Sequence, residues 1–178
     1  MKNKPSITIL TGGVGPEREI SLLTGKALLH SLKNSFDVSI TELNDESLPN
    51  LNNLDNTVVF PAIHGTFGED GRLQEMLENI GLNYAGSDAN SSRLCMNKYD
   101  SKRVVHASGV RIAPDLKFNQ PQKLDINAVL GEIGPNAIIK PVDQGSSVGL
   151  HVIKGENELL SILNELEDRD WMIEKRIF

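Results

Sequence analysis

Apolar positions in the first half of the chain fall into short continuous runs separated by amphipathic stretches. Residues 6–11 (SITILT) form one such run, bounded by Pro5 and by Gly12 and Gly13, the pattern of a strand buried on both faces. From Glu17 onward, Ile20, Leu23, Ala27, Leu28 and Leu32 recur with a helical period. Glu17 and Glu19 stand near the start of that helix, where its dipole favours anions. Phe36, Val38 and Ile40 alternate as a second strand, and residues 57–63 (TVVFPAI) make a third, with Pro61 ending regular pairing near its tail. HGTFGEDG reads as a loop. A helix is predicted over residues 71–80 through Leu73, Met76, Leu77 and Ile80, and LNYAGS as a fourth short strand. Strands alternating with helices predict a parallel, doubly wound sheet with right-handed crossovers.

The pattern changes after residue 93. A helix is predicted over residues 97–107, a strand over 110–113, and a connection through the proline-punctuated stretch 115–124. Residues 137–141 and 148–153 read as two strands joined by DQGSS, a hairpin with a polar tip. ENELLSILNELED is an amphipathic helix and WMIEKRIF a closing strand. Three antiparallel strands with a helix or two bury too little surface to be comfortable alone, so this part is expected to be one lobe of something larger. Residues 171–178 are then expected to present an open sheet edge. The expected division is a Rossmann-like unit over residues 1–93 and an antiparallel α+β lobe over 94–178.

The 178 residues, 39% hydrophobic and 24% charged, describe one or two ordinary globular units and exclude disorder and fibres. A net charge of -6 leaves no basic footprint for nucleic acid or an anionic membrane. Of that charge, -5 falls on residues 1–93 and only -1 on 94–178, a shift that hints at an anionic ligand in the second part. Cys95, the single cysteine, cannot close an intramolecular disulfide, which suits a reducing compartment. MKNKPSITIL carries neither a cleavage site nor a spanning segment, so a cytoplasmic protein is expected.

Three places carry candidate chemistry. TGGVGPER follows a strand and opens a helix, with Glu42 some two dozen residues on, but a dinucleotide fingerprint needs glycine where Arg18 stands. Gly25-Lys26 lacks the remaining residues of a P-loop. Glu17 at this helix start suits a cationic ligand group; equally, Glu17 and Glu19 complement the dipole. His64 ends the third strand at the same sheet edge, among Gly65, Gly68 and Gly71, and on its own reads as an ordinary loop histidine. The four histidines make no metal-binding pair. The third place is the strongest: Lys140 lies in an apolar strand beside the tip formed by residues 143–149. Free backbone N–H groups, serine hydroxyls and a fixed cation there make a cradle for a polyphosphate. An exposed hairpin tip would explain the glycines and serines but not the lysine. Lys98, in MNKYDSK, is either a second cation for the same anion or a solvated helix lysine.

Taken in order, GGVGPEREISLLTG, AIHGTFGEDGRLQEMLENIGLNYAGS, MNKYDSK, IIKPVDQGSSVG and WMIEKRIF resemble the D-alanine:D-alanine ligases of the ATP-grasp superfamily. The resemblance implies a Rossmann-like domain followed by an ATP-grasp fold of two lobes, with this chain ending inside that fold. It implies that Glu17 holds the ammonium of the first D-alanine, that His64 lies near its carboxylate, and that Ser146 helps orient Glu17. Lys98 and Lys140 would meet the ATP phosphates, and Gly145, Ser146, Ser147 and Gly149 would close over them. Glu174, Lys175 and Ile177 match the strand that recognises adenine. The implied reaction joins two D-alanines for peptidoglycan through an acyl phosphate, with ATP and Mg2+ as cofactors. The magnesium ligands are expected in the absent C-terminal lobe, and a homodimer for the full-length protein. Val14-Gly15-Pro16 departs from the family, which often has a serine before the glutamate. Two functional classes follow: an N-terminal portion of the ligase, inactive alone, or a non-catalytic nucleotide- or D-alanine-binding module, including half of a split ligase.

Overall fold

The structure is a computed structural model that describes residues 6–49 and 57–178; Pro5, expected to bound the first strand, lies outside them. The chain divides into two compact units, Met1–Cys95 and Met96–Phe178.

In the first unit, β1 (Ser6–Gly12), α1 (Arg18–Leu32), β2 (Asp37–Leu43), β3 (Thr57–Pro61), α2 (Arg72–Asn79), β4 (Asn83–Tyr84) and α3 (Ala89–Met96) follow in order. All strand pairs are parallel, in the order β2-β1-β3-β4. The continuous apolar run of β1 is explained by its central place: it is paired on both sides and buried from Thr8 onward. Leu10, Leu43, Val59, Ile63, Phe67, Leu73 and Leu77 form the core.

The face that α1 turns inward is not the one its apolar period predicts. Ile20 and Leu23 are 55% and 61% exposed, whereas Ser21 and Gly25 are buried. The reason is close approach. A Cβ at Gly25 would stand 2.8 Å from Thr11 Oγ1. Ser21 Oγ donates to Ala62 O (2.6 Å) and accepts the Gly12 N–H (2.8 Å), tying the helix to the ends of β1 and β3. Small size and hydrogen bonding, rather than hydrophobicity, decide which side faces the sheet.

The second unit contains α4 (Lys98–Ala107), β5 (Asp115–Phe118), a 3-10 turn (Pro121–Lys123), α5 (Ile126–Glu132), β6 (Asn136–Pro141), β7 (His151–Lys154), α6 (Glu156–Glu165) and β8 (Trp171–Lys175). Its sheet is antiparallel in the order β5-β8-β6-β7. Val129, Ile133, Ala137, Ile139, Ile153, Leu159, Leu163, Trp171 and Ile173 form its core. Strand alternation puts Asp115, Lys140 and Glu174 on the opposite face, with Asp115 directly across from Glu174 in the register.

Several expectations are corrected here. No strand forms at residues 110–113; β5 begins after Pro114, inside the stretch expected to be a connection. Pro114 has no N–H to donate, but its carbonyl accepts the Lys175 N–H at 2.9 Å and so anchors the end of the β5–β8 pair. The sheet therefore has four strands, not three. Residues 171–175 are not an edge, because β8 lies between β5 and β6, and the edges are β5 and β7. β7 begins at His151, so the loop before it is longer than the DQGSS tip. The helices α3 and α5 were not expected; α5 is capped by Asp125, which accepts the N–H groups of Asn127 and Ala128.

Candidate functional site

The first unit places its chemistry at the C-terminal ends of β1 and β3. Gly12 and Gly13 both have positive φ (91° and 90°), and a Cβ at Gly12 would stand 2.6 Å from Leu43 O, so the turn needs glycine to pass β2. Arg18 pins that turn: its guanidinium donates to Gly13 O (2.7 Å), Leu43 O (2.8 Å) and Asn44 Oδ1 (2.8 Å), and pairs with Glu42. Glu42 is thereby given a structural partner.

Glu17 occupies the N-cap position of α1 without making a side-chain cap bond. Its carboxylate lies instead against the loop after β3, where a Cβ at Gly65 would come within 2.6 Å of Glu17 Oε2. The structure thus brings together the Glu17 turn and the His64 loop, two sequence-predicted positions. Nε2 of His64 lies 2.9 Å from Thr24 Oγ1, and Nδ1 lies 3.4 Å from Glu69 Oε1. Glu69 also accepts the Gly65 N–H at 3.0 Å, which fixes the loop. A cavity of about 350 Å³ opens beside them, with Thr24, His64, Glu69, Gln74, Ser91 and Cys95 in its wall. Neither Thr24 nor Glu69 was singled out by sequence; their role depends on the fold alone.

The second unit gathers a separate group. Lys98, capped into α4 by Asn97, donates from Nζ to Gln144 O, and its backbone N–H donates to Val142 O at 2.9 Å. Lys98, Lys140, residues 144–148 and Leu150 line a cavity of about 230 Å³. Ser146 and Ser147 have φ of 48° and 61°, a left-handed conformation that costs an L residue about 1 kcal/mol each. Gly149 has φ 69° and backs the loop onto Pro141, whose Cγ would be 3.0 Å from an added Cβ. Burial, and next to it the charge of Lys140, hold the Lys98 amine below its ordinary value, against the opposing pull of Asp143 and Glu174. Two cations facing one cavity make a site that an anion would relieve.

From Lys140 runs a ladder of charges of which sequence reasoning named only Lys140 and Glu174. Lys140 Nζ lies 2.5 Å from Glu174 Oε1, and Lys102 Nζ lies 2.7 Å from Glu174 Oε2. Lys102 also pairs with Asp115, whose side chain is fully buried and takes Arg103 at 2.5 Å on its other oxygen. Burial alone would raise the Glu174 carboxyl; the hydrogen bonds from Lys102 and Lys140 outweigh it and hold the group below the ordinary carboxylate value. Beyond Glu174, the Lys175 N–H is taken by Pro114 O, and Ile177 is 72% exposed. Among the described residues, no group of three or more His, Cys, Asp or Glu side chains is placed to hold a metal ion.

Residues 40–87 match the family model described as D-ala D-ala ligase N-terminus. Across nearly its whole length, the chain is similar to curated proteins named D-alanine–D-alanine ligase. That of Clostridium beijerinckii is 34% identical over 176 residues, which are 96% of this chain and 58% of the relative. That of Neisseria meningitidis is 35% identical over 168 residues, 94% of this chain and 55% of the relative. Among solved structures, the D-alanine–D-alanine ligase of Bacillus anthracis superposes with a TM-score of 0.83 at 30% identity, covering 97% of this chain and 58% of that one. The same enzyme complexed with ATP gives 0.86 at 28% identity, over 97% and 59%. The chain therefore spans less than three fifths of the length of each of these four relatives.

Proposed function

This chain corresponds in sequence and fold to the N-terminal part of the D-alanine–D-alanine ligases, and we propose that it supplies the nucleotide grip and the first amino-acid subsite for the ATP-dependent joining of two D-alanines. The observation that carries this reading is the pair Lys98 and Lys140 facing one cavity under residues 144–150. Phosphoryl transfer asks a protein mainly for positioning and neutralisation of charge. A triphosphate entering this cavity would relieve the repulsion between the two ammonium groups. Lys98 would exchange the Gln144 carbonyl for a phosphate oxygen. The serine hydroxyls and backbone N–H groups of residues 145–149 would close over the phosphates. Glu174, an acceptor held between two lysines, offers its carboxylate to the exocyclic amine of adenine.

In the first unit, Glu17 would hold the ammonium group of a D-alanine, and His64, braced by Thr24 and Glu69, would meet its carboxylate. That carboxylate would take the γ-phosphoryl group of ATP to form an acyl phosphate, with ADP as the leaving group, and the amine of a second D-alanine would attack the acyl carbon, losing a proton and releasing phosphate. Magnesium, which would neutralise the phosphates when bound, has no ligand cluster among the described residues of this chain. In the cell, the reaction would serve peptidoglycan synthesis from the cytoplasm.

The test is titration calorimetry of ATP into the chain and into Lys140→Met. Saturable binding that weakens about tenfold or more in the variant is expected, as for loss of a charged hydrogen-bond donor. Absence of saturable binding, or equal binding by both proteins, would overturn the reading.

A further inference from the structure

We propose that Lys102 is a positioning residue of the nucleotide site, fixing the Glu174 carboxylate from behind so that the site prefers adenine to guanine nucleotides. The inference rests on the nucleotide reading given above. An ammonium group has three N–H donors. Those of Lys102 have two hydrogen-bond acceptors, Ala113 O at 3.0 Å and Glu174 Oε2 at 2.7 Å, and the ammonium also forms an ion pair with the carboxylate of Asp115. Lys102 does not line the cavity shared by Lys98 and Lys140, so it acts through its neighbours. Lys140 is different: it too holds Glu174, through Oε1, but it lines the cavity together with Lys98.

The arrangement is over-determined from both sides. Asp115, with no side-chain exposure, is held by Arg103 as well as by Lys102, and it sits opposite Glu174 in the β5–β8 register. Positive and negative groups therefore alternate from Arg103 through Asp115, Lys102 and Glu174 to Lys140, crossing from α4 over β5 and β8 to β6. A Glu174 carboxylate gripped through both oxygens keeps one orientation and one charge state. A charged, acceptor-only group attracts the amino group that adenine carries at its sixth position and repels the carbonyl oxygen that guanine carries there. Without Lys102, Glu174 would have only Lys140 to pair with. The carboxylate would then swing toward the cavity lysine and draw its charge away from the phosphates.

The experiment titrates ATP and GTP separately into the unaltered chain, Lys102→Met and Lys102→Arg, with folding checked by circular dichroism. The unaltered chain is expected to prefer ATP by about tenfold or more, the scale of one charged hydrogen bond. Lys102→Met should weaken ATP far more than GTP, so the preference collapses by several-fold. Lys102→Arg, whose guanidinium can span both carboxylates, should restore most of it. A purely structural lysine would change both affinities alike and leave the ratio untouched. A folded Lys102→Met with an unchanged ATP-to-GTP ratio overturns the proposal. If that variant does not fold, the measurement on the unaltered chain still decides, since binding of both nucleotides without preference overturns it. Failure of the unaltered chain to bind any nucleotide refutes the nucleotide site itself and is distinct from either result.

Discussion

Gly65 shows how much a single missing side chain can organise. It sits at φ 72° with the Glu17 carboxylate in the space a methyl group would need. Gly65→Ala therefore strains the backbone and displaces Glu17 together. An expected loss of about 1–2 kcal/mol should appear as a lower urea midpoint, accompanied by weaker D-alanine binding. Lys98 makes a second residue-scale prediction. Its amine, held below the ordinary lysine value of 10.5, discharges earlier than an unperturbed lysine as the pH rises. ATP affinity should thus begin to fall at a pH below 10.5, and Lys98→Met should abolish that alkaline step; titrations across the alkaline range would show it. What sequence could disclose at this scale depended on oddity. A lysine inside the apolar run of β6 stands out, whereas Lys102, one helical turn after Lys98, looks like any solvated helix lysine until folding brings it to Glu174, 72 residues away.

At the scale of elements, the sequence pattern found every strand of the first sheet: β1 and β3 as apolar runs between turn residues, β2 by its alternation and β4 as a short stretch before a turn. It misjudged α1, since counting apolar positions gives no weight to a serine and a glycine chosen for close approach. Gly25→Ala puts the two principles in competition. Helix propensity gains about 1 kcal/mol, and crowding against Thr11 costs about 1–3 kcal/mol. The chain should be destabilised, contrary to the usual result for a helical glycine. Leu23→Ser, on the exposed side, should move stability by no more than about 0.5 kcal/mol. Thermal unfolding of the two variants side by side would separate the cases. In the second unit, β5 was hidden because its four residues follow a proline and alternate charged with apolar side chains, DLKF. α5 was hidden because seven residues are too few for a period to declare itself.

For the molecule as a whole, each unit carries its own apolar core, but the charge ladder belongs to the second. Glu174, held below its ordinary value of 4.5, contributes stability that is fully present above that pH. The contribution drains away as the pH falls from 4.5 through the depressed value. Urea midpoints measured over that interval should fall steeply for the unaltered chain and less steeply for Glu174→Gln. The four-stranded order of the second sheet could not be anticipated from the sequence pattern, because it joins strands far apart in the chain. That order has a consequence for biosynthesis. The strand at the middle of the second sheet is the last of its four to leave the ribosome, so until residues 171–175 emerge the nascent unit is a hairpin and a stray strand with nothing to join them. Translation that stalls before Trp171 would expose both unpaired flanks to other chains, and cellular quality control should recognise such products as unfolded.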